Sequence, residues 1–147
     1  MKNLIITIGI IIFAAILLAY QSDFNNMARE KELLKSIADE AVASSALCID
    51  EFKYGEGYLV FDDEKVIAKI EEMLKLNLDK EIDFEYTVLI SDESVKRRKH
   101  GDLEVEFELE KEPYVLLKVD IGKPKFRIIS PNTTIYAISA YEYLPYN

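Results

Sequence analysis

The sequence predicts an α+β protein: one long N-terminal helix, hydrophobic and then amphipathic, followed by a second helix and an antiparallel sheet of four to five strands. Three observations carry this reading. Leu4 to Tyr20 contains no charged residue. No glycine or proline interrupts the chain between Tyr20 and Gly55. From Ile82 onward, apolar residues fall on alternate positions, the period of a half-buried strand. The chain divides accordingly into a transmembrane or packing helix over 1–22, an amphipathic continuation over 23–52, and a small α+β head over 53–147.

The apolar segment comes first. Its seventeen residues make a helix about 25 Å long, near the lower limit for crossing a bilayer core. Lys2 precedes it, and Tyr20 and Gln21 follow where an apolar helix meets headgroups. The rival is a cleaved signal peptide. Such peptides have an apolar run of about 7–15 residues and small residues at the cut, whereas this run ends Leu17, Leu18, Ala19, Tyr20 without an A-x-A. Lys2 favours a cytoplasmic N-terminus, although Arg29, Lys31 and Lys35 beyond the span weaken the charge asymmetry.

From Met27 the composition favours helix. Leu34, Ile37, Ala38, Ala41, Ser45, Ala46 and Ile49 form one stripe on a 3.6-residue period. The run Ala41, Val42, Ala43, Ser44, Ser45, Ala46 lets another backbone approach closely. A continuous helix from Asn3 to Asp50 would be about 70 Å long, with Asn25 and Asn26 as its weak point. Tyr54 to Gly57 reads as a turn and Tyr58 to Phe61 as a short strand. Asp62 or Asp63 then caps a second helix with Val66, Ile67, Ile70, Met73 and Leu74 on its buried face, ending near Asn77. Strands are expected at Phe84–Ile90, Leu103–Leu109, Tyr114–Ile121, Phe126–Ile129 and Thr134–Tyr143, with turns at Gly122–Pro124 and Pro131–Asn132. The connections look short, so meander-like hairpins are expected.

Charge and rare residues exclude several functions. Beyond residue 20 the chain carries 17 basic and 27 acidic residues, a net charge of −10. A surface this acidic repels nucleic-acid phosphates. Cys48 is the single cysteine, so no internal disulfide forms, and His100 is the single histidine. Zinc sites and histidine-based triads therefore have almost no material to work with. The five glycines, at 9, 55, 57, 101 and 122, fit no phosphate loop or dinucleotide fingerprint. No D-x-D-x-D-G calcium loop occurs, and Asp62, Asp63 and Glu64 read as a helix start. The expectation is no catalytic residue, no cofactor, no metal and no small-molecule substrate, although carboxylates alone can hydrolyse glycosides.

The remaining features have simpler readings beside sharper ones. Glu104, Glu106, Glu108 and Glu110 form a solvated strand face or a cation site. Lys96, Arg97, Arg98 and Lys99, the one basic cluster, either pair with those glutamates across a hairpin or meet an acidic neighbour. His100, just before Gly101, is expected in an exposed turn. Cys48 reads as a buried thiol, with an intermolecular crosslink as the alternative. Asn132, Thr133 and Thr134 match a glycosylation sequon. Tyr136, Tyr141, Tyr143 and Tyr146 are explained by strand propensity and edge packing.

An apolar helix running into an amphipathic one and then a small α+β head resembles a type IV pilin-like subunit, a lollipop in outline. Tyr20 to Arg29, Leu34 to Ala41, and Gly57, Tyr58, Leu59, Val60, Phe61 are similar to pilin-like, TadE-like membrane proteins of Gram-positive bacteria. The resemblance covers about the first 65 residues. Type IV prepilins have a charged leader ending in glycine and a glutamate as the fifth mature residue. Here Gly9 lies inside the apolar run and the first acid is Asp23, so the resemblance does not extend to leader processing.

The resemblance implies a structural subunit of a pilus-like surface filament. Its partners would be itself, as a helical homopolymer, or other pilin-like subunits, and the membrane before assembly. Leu4, Ile5, Ile8, Ile11, Ile12, Ile16 and Leu17 are the candidates for membrane or filament-core packing. Leu34, Ile37, Ala38, Ala41 and Ala46 are the candidates for helix packing. The localisation implied is the cell membrane, single-pass with the head extracellular, and the cell surface if assembled. The alternative is a membrane-anchored extracellular binding or assembly module of a secretion system.

Overall fold

A computed structural model describes residues 2–93, 98–105, 113–124 and 133–143. The first helix, α1, runs from Lys2 to Ser45 without a break. At 1.5 Å per residue it is about 66 Å long. It continues through Asn25 and Asn26, so the expected weak point is helical. Its end comes earlier than the stripe of small residues indicated. After Ala46 N–H donates to Val42 O at 2.9 Å, Cys48 N–H turns back to Ser45 O at 2.9 Å.

A separate five-residue helix, α2 (Glu51–Gly55), follows α1 and leads into the turn expected at Tyr54–Gly57, where Gly57 N–H donates to Tyr54 O at 3.0 Å. Asp50 nucleates it, its carboxylate accepting from Phe52 N–H and Lys53 N–H at 3.1 and 3.2 Å. The chain reverses at Gly57, whose φ of +93° suits glycine. The strand expected at Tyr58–Phe61 reduces to a single bridge between Ile49 and Phe61. That pairing cannot lengthen, because α2 begins on one side of it and α3 on the other.

The next helix, α3 (Asp63–Asn77), is capped by Asp62, which accepts from Lys65 N–H at 3.2 Å. Asp63 and Glu64 sit in its first turn, favourable toward the positive end of the helix dipole. Val66, Ile70 and Leu74 are buried along one face; Ile67 and Met73 flank them and are half-buried. Helix α3 starts beside the end of α1, where Asp62 N–H meets Cys48 O at 3.0 Å. It finishes near Leu34, which shares a cavity wall with Leu78. The two helices therefore run antiparallel.

Among the described residues four antiparallel strands form the sheet: β1 (Glu85–Ser91), β2 (Arg98–His100), β3 (Tyr114–Asp120) and β4 (Tyr136–Glu142). Their order is β2-β1-β3-β4, so β3 pairs with β1 on the edge away from β2. This corrects the simple meander. Val88 faces His100 on one side and Leu117 on the other, and Leu117 faces Ser139. Side chains alternate across a sheet, so Val88, Ile90, Val115, Leu117, Val119 and Ala137 share the face toward the helices, and all join the core. On the reverse face, Thr87, Ser91, Tyr114 and Leu116 are buried as well.

Leu103 to Val105 is not strand; Leu103 N–H instead donates to Thr87 Oγ1 at 2.9 Å. Glu106, Glu108, Glu110, the Phe126–Ile129 strand, the Pro131–Asn132 turn with its sequon, Lys96, Arg97 and Tyr146 lie outside the described residues.

Helix α1 reaches the sheet through small side chains. Ala38, Ala41 and Ala46 are fully buried, and α1 packs on β3, β4 and α3. A larger side chain there has nowhere to go. Ala41→Leu is therefore expected to destabilise the head by about 1–3 kcal/mol through overpacking. Ala43→Leu, on the exposed side of the same turn, should stay within about 0.5 kcal/mol of the parent. Urea denaturation of the two variants in detergent measures the difference.

Candidate functional site

Helix α1 divides into two parts with different surroundings. In its N-terminal part, long and apolar enough to cross a membrane, no residue of the apolar window is buried. Leu4, Ile5, Ile8, Ile11, Ile12, Ile16 and Leu17 are all exposed, as are Ile6, Ile10, Phe13 and Leu18 between them. The exposure runs all round the helix rather than along one stripe. A soluble helix does not present such a surface to water, so this part requires an apolar surrounding supplied from outside the chain. The helix is a candidate membrane anchor. In the C-terminal part, Leu34, Ile37, Ala38 and Ala41 lie in the core of the head, as does Ala46 just past the end of the helix.

Polar contacts fasten that second part to the last strand. Lys35 Nζ donates to Ile138 O at 2.9 Å and pairs with Asp39. Asp39 also accepts from the Ser139 hydroxyl. Burial raises the Asp39 pKa, but the hydrogen bonds from Lys35 and Ser139 outweigh it and hold the carboxyl below its usual 3.8. Further along, the Tyr143 hydroxyl donates to Ala46 O. Burial pushes the Tyr143 phenol upward, so it stays a donor. On the other helix, Tyr86 of β1 donates to Glu71 of α3. Lys75 and then Tyr86 lower the Glu71 pKa, while burial and Glu71 raise that of Tyr86.

A second polar cluster joins the sheet edge to the start of α3. Asp92, 2% exposed, follows β1 and accepts from Phe61 N–H at 3.1 Å. Arg98 of β2 donates through Nη2 to the same Asp92 oxygen at 2.6 Å. The Nε of Arg98 lies 2.7 Å from Asp63 Oδ2. His100 Nε2 stands 3.7 Å from that oxygen. Arg98 and His100 face the helices because they pair with Ile90 and Val88. Arg98 thus joins Asp92 and Asp63, and His100 ends a strand rather than standing in an open turn. Sequence reasoning missed this cluster. Asp63, Asp92 and Arg98 meet only once the sheet order places β2 beside β1.

Cys48 is free and half-buried just past α1, and burial raises its pKa. The thiol is therefore held away from its reactive thiolate form. Among the described residues, no three His, Cys, Asp or Glu side chains gather to hold a metal ion.

At the opposite end of the head from α2 lies a half-open cavity of about 150 Å3. Leu33, Leu34, Leu78, Ile82, Ile121 and Ile135 line it, with Glu30 and Lys123 also contributing. No single segment of the sequence announces it, because its walls come from four separated stretches.

Comparison with known proteins gives no match to a family model, to a curated protein or to a solved structure.

Two outcomes follow from the polar contacts. Asp92→Ala leaves Arg98 and the Phe61 N–H without this buried acceptor, and is expected to cost about 3–5 kcal/mol, read as a fall in the denaturation midpoint. Asp39 works with the opposite visibility, since it is half-exposed and its contribution depends on pH. Its folded pKa is depressed, so its stabilisation is complete above the unfolded value of 3.8 and is lost as pH falls through the folded one. The stability gap between the parent and Asp39→Asn should therefore be widest near neutral pH and narrow below pH 3.8. Paired denaturation curves across that range check it.

Proposed function

We propose that this chain is a structural subunit of a type IV pilus-like surface filament, its N-terminal helices packed in the filament core and its heads outside. The observation that supports the reading is the division of α1: one unbroken helix, wholly unburied over its apolar part and the spine of the head over the rest. A lipid bilayer supplies the surrounding that the apolar part needs. A bundle of identical helices supplies it equally well, because each helix then removes its neighbours' surface from water.

The β-branched surface of Ile5, Ile6, Ile8, Ile10, Ile11 and Ile12 suits close helix packing. Rigid continuity between core helix and head lets one repeated contact fix the position of every copy. Contacts between unlike surfaces that do not close into a ring generate a helical filament. The acidic head keeps the outer shell hydrated. A single-pass anchored module of a secretion system shares the same helix but has no need for copies to associate.

Shearing surface appendages from the native cells separates the two readings. Electron microscopy of the sheared fraction, with mass spectrometry of its protein, is expected to show thin regular filaments dominated by this chain with its apolar segment intact. Recovery of the chain only from the membrane fraction would overturn the filament and leave an anchored module.

A further inference from the structure

The head has an apolar projection at one pole and an apolar hollow at the other. The projection is the excursion of residues 47–58 around α2. Tyr58 N–H returns to Lys53 O at 3.0 Å and Gly57 N–H to Tyr54 O at 3.0 Å, so the excursion is compact. It buries none of the residues of α2. Phe52 is 77% exposed, and Leu47, Tyr54 and Tyr58 beside it are also exposed. The hollow is the 150 Å3 cavity around Leu33, Leu78, Ile121 and Ile135. Leu34, on its wall, and Ala46, before the projection, stand twelve residues apart on the α1 axis, about 18 Å.

We propose that the cavity is the docking site for the α2 projection of a second copy of this chain, with Phe52 as the inserted side chain. This rests on the filament reading and names its repeating contact. Size supports it: an aliphatic cavity of about 150 Å3 accepts one benzene-sized ring. Polarity supports phenylalanine over the neighbouring tyrosines, because a phenol hydroxyl would enter a hollow lined mainly by leucine and isoleucine. Position argues against lipid as the occupant. Leu33 lies thirteen residues beyond Tyr20, about 20 Å along the helix from the end of the apolar span. The two surfaces are different and sit at opposite poles, so the contact is head-to-tail and leaves a free projection and a free cavity at the ends of any chain of copies. Each copy is then offset from its neighbour by about 20 Å along α1, which draws the end of one apolar span alongside the amphipathic stretch of the next.

Cysteine crosslinking in native membranes and sheared material tests this. The full chain carries Leu33→Cys and Lys53→Cys in a Cys48→Ala background, so that the Phe52 ring is kept and the new thiol sits beside it on the exposed face of the projection. The two positions within one chain are far beyond the ~7 Å Cα separation that a disulfide tolerates, so any bond joins two copies. Mild oxidation is expected to give a ladder of dimers, trimers and higher multiples. The control pair Leu33→Cys with Ala68→Cys, exposed on α3 but nine residues before its end at Asn77 and so about 14 Å from the cavity end of that helix, is expected to give none.

An equal ladder from the control, or filaments that form without a ladder from the test pair, overturns the docking contact and leaves the filament standing. A ladder in membranes of cells that make no filament overturns both, because copies held in one bilayer cannot be stepped by about 20 Å along α1. Absence of both overturns both. Independently, Phe52→Glu should reduce filament yield roughly tenfold or more while Phe52→Leu retains most of it. Equal yields from the two would overturn the role of the ring.

Discussion

Everything in this structure depends on one helix meeting two surroundings. Over its apolar part no residue of α1 is buried; over Leu34 to Ser45 one face of it lies in the core of the head. The change of surroundings happens without a change of secondary structure. Helix satisfies the backbone in both settings, because its N–H and C=O groups pair within the segment whether the neighbours are lipid or protein. What changes is side-chain size. Isoleucine and leucine cover the part that the head leaves unburied, and alanine and serine cover the part that approaches the sheet.

Around that spine the polar contacts occupy the seams. Lys35, Asp39 and Ser139 close the seam between α1 and β4, and Tyr143 closes it again at Ala46. Glu71 and Tyr86 close the seam between α3 and β1. Asp92 holds three elements, since it receives Phe61 before α3 and Arg98 on the edge strand. These contacts contribute modestly in net free energy. Their larger effect is on register, because a one-residue slip of a strand would turn its buried set outward and part the contacts that strand makes.

Much of the layout was legible in the sequence because it rests on periodicity. The apolar span, the Leu34–Ala46 stripe, the Asp62 cap with Val66, Ile70 and Leu74 behind it, and the strands at Glu85, Tyr114 and Tyr136 all follow from local spacing. Four features did not. Helix α2 is one turn held by the Asp50 side chain, too short to show a period. The sheet order is a second, because β3 pairs with β1 across from β2 and no local hairpin rule decides that. The Asp63–Asp92–Arg98 cluster was invisible for the same reason: its members are 29 and 6 residues apart in the chain, and only the sheet order gives Arg98 both acids. The cavity is a fourth case, since its walls are drawn from α1, the end of α3 and both flanks of the β3–β4 connection.

The unbroken junction between the apolar segment and the spine of the head has a mechanical meaning. A tug on the head runs straight along the α1 axis, with no loop to extend and no hinge to swing. The seams against β4 and α3 lie side by side with that axis, so they bear tension in shear. Their apolar rows and hydrogen bonds are then strained together, whereas a load applied across the sheet would peel them apart one at a time. The molecule is thus strong along one direction, the direction in which its anchored end would pull.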